Sequence, residues 1–176
     1  RKILKFASNV YKIHHSDMNN KRLVLNTAQA LAKAEHYCAY QERSTYEVRS
    51  KLHDWNLSQQ EIERIISHLI QQNFLNEARF AETYTLGKFR INNWGKLKIR
   101  YAPRLKQVSP ELITKSLQKI DDSEYIHKLK HLIKKKSELL TEKDPYKRRY
   151  KLTQYVSTKG FEQELISDLL SKNQTV

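Results

Sequence analysis

Leu57-Ser58-Gln59-Gln60-Glu61-Ile62 spells out the start of a helix. Ser58 can accept from the free N–H groups of a new helix, Glu61 can reach back to the serine's own N–H, and Leu57 can pack on Ile62 across the cap. Together these make a capping box with a hydrophobic staple. Val108-Ser109-Pro110-Glu111-Leu112-Ile113 repeats the staple, with Ser109 as cap and Pro110 at the first helical position, where a missing N–H costs nothing. Gly160-Phe161-Glu162-Gln163-Glu164-Leu165-Ile166 keeps the spacing but puts Glu162 where the serine stood, so this third cap should be the weakest.

The pattern extends on both sides of these starts. An aliphatic slot precedes each at Val48, Ile99 and Leu152, a second falls at Leu52, Pro103 and Val156, and a last closes each unit at Ile66, Leu117 and Leu170. Offsets that match at every step over units of about fifty residues predict one helical module used three times. The expected fold is all-α, an elongated tandem array of three three-helix repeats. Repeat one covers 27–75, a basic repeat two 76–122 and repeat three 123–170, with an N-terminal extension over 1–26 and a tail over 171–176 that should fray. Three glycines and three prolines in 176 residues are too few for the turns of a sandwich or barrel. A hydrophobic content of 39% allows a continuous, thin core in which no module is stable alone.

Within the repeats, Asn26 or Thr27 can cap a first helix along Ala34 and Cys38, and Ser44 a second along Val48, Leu52 and Trp55. Asn73 suits the left-handed residue that ends the third. The middle helix of repeat two should run from Lys96 to about Lys106. Pro103 removes the bond to the Ile99 carbonyl, a loss of roughly 3 kcal/mol inside a helix, which predicts a kink or early end near Ala102.

Several function classes are disfavoured. The single Cys38 excludes a disulfide framework and reads as core packing. No stretch approaches a membrane span, and the basic start carries too short an apolar run for a secretory signal, which places the chain in the cytoplasm. Three scattered glycines leave no phosphate-binding loop, and Gly95-Lys96 lacks the preceding cradle. His127 and His131 have metal-compatible spacing, but Lys128 and Lys130 between them repel a cation. A non-enzymatic protein without cofactor or metal is expected.

The formal charge of +14 points to an acidic partner. From Thr83 to Pro110 the chain holds Lys88, Arg90, Lys96, Lys98, Arg100, Arg104 and Lys106 and no acid, interleaved with Tyr84, Phe89, Trp94 and Tyr101. On a helix Lys96, Arg100 and Arg104 form one row. Their counterparts are Thr45, Arg49 and His53 in repeat one and Arg149, Thr153 and Ser157 in repeat three, so the fold should not need three cations there. Such a row costs a few tenths of a kcal/mol per pair, which favours an external anion. Trp94 is a stacking platform, a protein anchor or the closure of a helix junction; Trp55 reads as packing. Lys128, Lys130 and Lys134 to Lys136 form a second cluster, by itself a solvated face, and Lys147, Arg148 and Arg149 a third.

Glu42-Arg43-Ser44, Glu47-Val48-Arg49-Ser50-Lys51-Leu52, Phe74-Leu75-Asn76-Glu77-Ala78-Arg79-Phe80-Ala81 and Trp94-Gly95-Lys96-Leu97-Lys98-Ile99 occur in an order that resembles the RecX family of recombination regulators. The resemblance runs from about Ala28 to Leu170. It departs at Pro103, where the family usually has leucine, and at Gln107, where lysine-glycine is common. The resemblance implies a monomeric modulator of the RecA recombinase that lodges in the groove of the RecA filament on single-stranded DNA and inhibits its ATPase, strand-exchange and co-protease activities. Arg79 and the Lys96, Lys98, Arg100, Arg104 set are then the leading contacts, with Trp94 as anchor and Lys88, Arg90 and Lys106 beside them. The competing reading is a helical module that binds DNA or RNA directly, without RecA. Its recognition helix would carry Gln59, Gln60, Glu63 and Arg64 or Glu111, Thr114 and Lys115, which is not strongly basic.

Overall fold

A computed structural model describes residues 26–105 and 107–172, the side chain of Lys172 excepted. The extension before Asn26, the tail after Lys172 and Lys106 lie outside the described residues. Among the described residues there are nine α-helices and no strand, in three consecutive three-helix units.

The first unit holds α1 (Thr27–Tyr40), α2 (Thr45–Asp54) and α3 (Gln59–Gln71). Each begins with a complete capping box, on Asn26 with Gln29, Ser44 with Glu47 and Ser58 with Glu61. Leu57 and Ile62 are both buried, as the staple requires. Asn56 and Asn73 take φ of 59° and 58°, the left-handed conformation asparagine tolerates, and turn the chain after α2 and α3. Leu75 N–H then returns to the Leu69 carbonyl at 3.0 Å. Cys38 is buried among Ala30, Ala34, Val48 and Leu52, and burial pushes its thiol up to about 11, so it stays protonated and unreactive.

Bonds from the Ser58 hydroxyl and then the Thr27 hydroxyl hold the Glu61 carboxyl at about 2, against 4.5 for an unperturbed glutamate. A depressed folded value means that its contribution is fully present above pH 4.5 and fades as pH falls through about 2. Below that, α3 loses its box and α1 its tie to α3. A Glu61→Gln variant followed by circular dichroism through this window should lose the part of the acid transition that wild type shows there; superimposable acid curves would contradict the assignment.

The second unit holds α4 (Glu77–Arg90), α5 (Lys96–Arg100) and α6 (Pro110–Gln118), with a 3-10 turn at Pro103–Leu105 before α6. Proline's lost hydrogen bond ends α5 at Arg100, slightly earlier than Ala102. The core register shifts in consequence. Pro103 is exposed, and its apolar slot is filled instead by Ala102 and Leu105. The third unit holds α7 (Asp122–Glu138), α8 (Pro145–Thr158) and α9 (Gln163–Lys172). Phe161 and Ile166 form its buried staple. Glu162 does not imitate the missing serine; its carboxylate accepts from the Tyr125 hydroxyl at 2.6 Å.

The composition allows a continuous core, but the buried residues fall into two clusters. The second and third units share one cluster, in which Phe89, Tyr125 and Phe161 meet with ring centroids 5.7 and 5.0 Å apart. The first unit has a separate cluster of its own. The two joints are therefore chemically unlike.

At the second joint, the N-terminus of α5 has no side-chain cap, and the third unit supplies the acceptors. Gly95 N–H donates to the Lys159 carbonyl at 2.8 Å, Lys96 N–H to the Tyr125 hydroxyl at 2.9 Å and Leu97 N–H to the Gly160 carbonyl at 3.1 Å. Burial, helped by the bond to Glu162, pushes the Tyr125 phenol far above its ordinary range, so it remains a donor. The close approach needs glycine on both sides. A Cβ on Gly95 would lie 2.2 Å from the Gly160 carbonyl oxygen, and Gly160 itself has φ of 88° with the Lys98 backbone against it.

At the first joint the ties are polar. Arg79 Nε donates to Glu42 at 2.5 Å, and its other nitrogens to the Asn73 side chain and the Asn73 and Phe74 carbonyls. Arg104 makes a two-pronged pair with Glu47 at 2.7 and 2.8 Å, its guanidinium lying over the rings of Phe80 and Tyr84. Thr45 adds two bonds to Glu77. Glu47 is at once the capping-box partner of Ser44 and the seat of Arg104.

Candidate interaction surface

The acid-free stretch from Thr83 to Pro110 is answered from its neighbours. Arg104 reaches Glu47 in the first unit, whereas Lys96 reaches Asp122 at 2.9 Å and Arg90 reaches Glu124 at 3.3 and 3.2 Å in the third. Glu124 accordingly raises the Arg90 guanidinium above its ordinary value. The expected row of Lys96, Arg100 and Arg104 does not exist as a row. With α5 ending at Arg100, Lys96 and Arg104 turn to opposite neighbours, and the view that the fold does not need them is corrected for both. Arg79 is likewise committed to the first joint.

Lys88, Lys98, Arg100 and Trp94 remain. Trp94 closes the turn after α4, its backbone N–H donating to the Lys88 carbonyl at 3.1 Å with Asn93 at φ of 56°, and its half-buried ring packs on the core. The ammonium groups of Lys88 and Lys98 lie 4.9 and 5.0 Å from that ring's centroid. Lys98 also donates to the Thr158 carbonyl. Arg100 is exposed and makes no side-chain hydrogen bond among the described residues. Beside them runs a groove along the second joint, lined by Trp94, Leu97, Lys98, Tyr101, Pro103 and Thr158. Tyr101 is 74% exposed and Leu97 40%. Sequence reasoning passed over both because neither lies in the basic row; Tyr101 was visible only as one of four interleaved aromatics.

Cations beside exposed aromatic and aliphatic groups suit an anionic partner with planar or apolar parts. Among the described residues no three histidine, cysteine or acidic side chains gather as metal ligands, and none of the helices is long and apolar enough to cross a membrane.

Comparison with known proteins gives a consistent result. Residues 30–69, 76–117 and 122–170 match the family models described as the first, second and third three-helix domains of RecX. The chain is 31% identical over 146 residues to the Regulatory protein RecX of Lactobacillus johnsonii, a match covering 78% of this chain and 51% of that protein. With the protein of the same name from Haemophilus influenzae strain PittGG it shares 29% over 138 residues, 78% of this chain and 90% of the other. The chain thus spans about half the length of one relative and nearly all of another. The crystal structure of RecX from Lactobacillus salivarius superimposes with a TM-score of 0.77 over 85% of this chain and 97% of that one, at 22% identity, which speaks for the fold.

Proposed function

Because this chain belongs to the RecX family, we propose that it regulates the RecA recombinase without chemistry of its own, by binding the RecA filament on single-stranded DNA and inhibiting it. Support comes from one observation above all: Lys88 and Lys98 flank the Trp94 ring, Lys98 and the exposed Tyr101 line the groove beside it, and Arg100, two residues from Lys98, is exposed without a side-chain hydrogen bond among the described residues. A rod of repeats presenting such a strip fits a filament groove, where one molecule can touch neighbouring protomers and block their movement. We place the filament contact on this strip. Arg79, Arg90, Lys96 and Arg104 serve it indirectly, by setting the angles between units.

A Lys98→Glu, Arg100→Glu variant tests this, since both side chains are exposed and their loss leaves the cores intact. It should need at least about tenfold more protein to half-suppress RecA ATP hydrolysis, as expected for reversed charges at a complementary interface. Unchanged potency in a folded variant rejects the strip.

Direct nucleic-acid binding is the second reading, and the same cation and aromatic groove favours it. A helix-turn-helix use of α3 has less support. Its outer face, Gln59, Gln60, Glu63 and Arg64, carries a carboxylate already paired with Arg49. Titrating labelled protein onto oligothymidylate with and without RecA separates the readings. Direct binding persists without RecA and falls steeply with salt.

A further inference from the structure

Members of the second and third lysine- and arginine-rich clusters, Lys130 and Lys134 on α7 and Arg148 and Arg149 on α8, meet in the structure. They face each other across a groove between α7 and α8 in the third unit, remote in composition from the Trp94 strip. Lys130 and Lys134 stand one turn apart on α7, exposed and without an acidic partner among the described residues. A like-charged pair at this spacing destabilises its own helix slightly, so the fold gains nothing from it. Opposite stands Arg149, which spends a single bond, to the Ser171 hydroxyl. The floor is aliphatic, made by Ile133, Leu152 and Leu170. Arg148 makes the groove rigid by donating to the carbonyls of Ser137, Leu140 and Glu142 and to the Ser137 hydroxyl, which ties the end of α7 to α8.

We propose that this groove docks a short acidic segment of another polypeptide, one with aliphatic residues spaced among its carboxylates. Lys130, Lys134 and Arg149 pair with the carboxylates while aliphatic side chains cover the floor. Two features favour a peptide over a nucleic acid. The lining contains no aromatic ring on which a base could stack. Glu138, one turn beyond Lys134, interrupts the cations. A phosphate backbone, charged at every step, meets repulsion there, whereas a peptide can place a neutral or basic residue opposite it.

Fluorescence anisotropy of the full chain tests the proposal with two labelled probes of equal charge: a peptide of about a dozen residues built from Glu-Asp-Leu repeats, and oligothymidylate. Lys130→Glu with Lys134→Glu should weaken the peptide at least about tenfold and change the oligothymidylate less than about twofold. Lys98→Glu with Arg100→Glu should leave peptide binding intact. The neutral Lys130→Gln, Lys134→Gln pair, which also relieves the helix of its like charges, should give a smaller loss in the same direction and guards against misfolding of the charge-reversed form. Peptide binding that is undetectable in wild type, or indifferent to both pairs, overturns the proposal. So does loss of oligothymidylate binding in place of peptide binding.

Discussion

Gly95→Ala will undock the third unit from the second. The added Cβ falls 2.2 Å from the Gly160 carbonyl oxygen and 2.5 Å from the Phe161 nitrogen, and both neighbours are backbone, which cannot swing aside as a side chain would. Relief requires the α8 end of the third unit to move away from α5. Movement breaks the bonds from Gly95 and Leu97 to the Lys159 and Gly160 carbonyls and draws the Tyr125 hydroxyl off Lys96 N–H. It also opens the shared core where Tyr125 packs on Phe161. Overpacking alone costs about 1–3 kcal/mol, and each buried donor left unpaired adds about 1–3 more, so a destabilisation of at least about 3 kcal/mol is expected. Denaturant unfolding monitored by circular dichroism measures it. Since the strain is steric, added salt should not restore stability. A loss below about 1 kcal/mol would show that the joint has slack absent from this geometry. Gly160→Ala should be no milder, because its φ of 88° is strained for any side chain.

Local signals in this sequence were readable and distant ones were not. Ser44, Ser58 and Ser109 cap the helices that follow them, Asn73 adopts the left-handed turn and Pro103 halts α5, because each of these effects acts within one helical turn. Side-chain ties across the joints connect residues far apart in the chain, 57 positions for Glu47 and Arg104 and 60 for Lys98 and Thr158, and no periodicity announces them. Comparing repeats position by position misled for a physical reason. It treats the modules as equivalent, yet the middle one has two neighbours and each outer one has one. Lys96 and Arg104 are extra cations because the middle module holds acids on both sides. A usable signal did exist for the second joint. In a chain with only three glycines, Gly95 and Gly160 each precede a helix start, and scarce glycines mark close backbone approach. Glu162 in place of a capping serine was a second one.

The first joint should behave in the opposite way to the second. Removing Arg79 and Arg104 together as alanines will separate the first unit from the rest without unfolding it, because this unit, against the expectation that no module is stable alone, has a core cluster of its own. Among the described residues no buried apolar cluster spans this junction, so the ion pairs and the Thr45 bonds to Glu77 hold the angle between the units. Arg104 is 38% exposed and Glu47 21%, which places the pair between a surface bridge and a buried one. Hydrogen bonds to charged groups contribute about 1.5–3 kcal/mol when sheltered, and partial exposure to solvent and salt brings each arginine nearer to about 1–2 kcal/mol. Together their loss should split one thermal transition into two, the first unit melting apart from the remaining body. In wild type, raising salt from about 0.05 to 1 M should mimic the variant, because the Debye length then shrinks from more than 10 Å to about 3 Å. X-ray scattering should show the radius of gyration rising in both cases, and an unchanged radius with one sharp transition would refute an electrostatic joint. The reciprocal swap, Glu47→Arg with Arg104→Glu, decides what Arg104 is for. It rebuilds the pair with the charge on the other unit, and Glu47→Arg alone supplies its baseline, because that change also removes the capping-box bond to Ser44 N–H. A wild-type radius of gyration and a single transition recovered in the swap, after their loss in Arg104→Ala, assign Arg104 to the geometry of the rod; a radius that stays raised in the swap denies it that role.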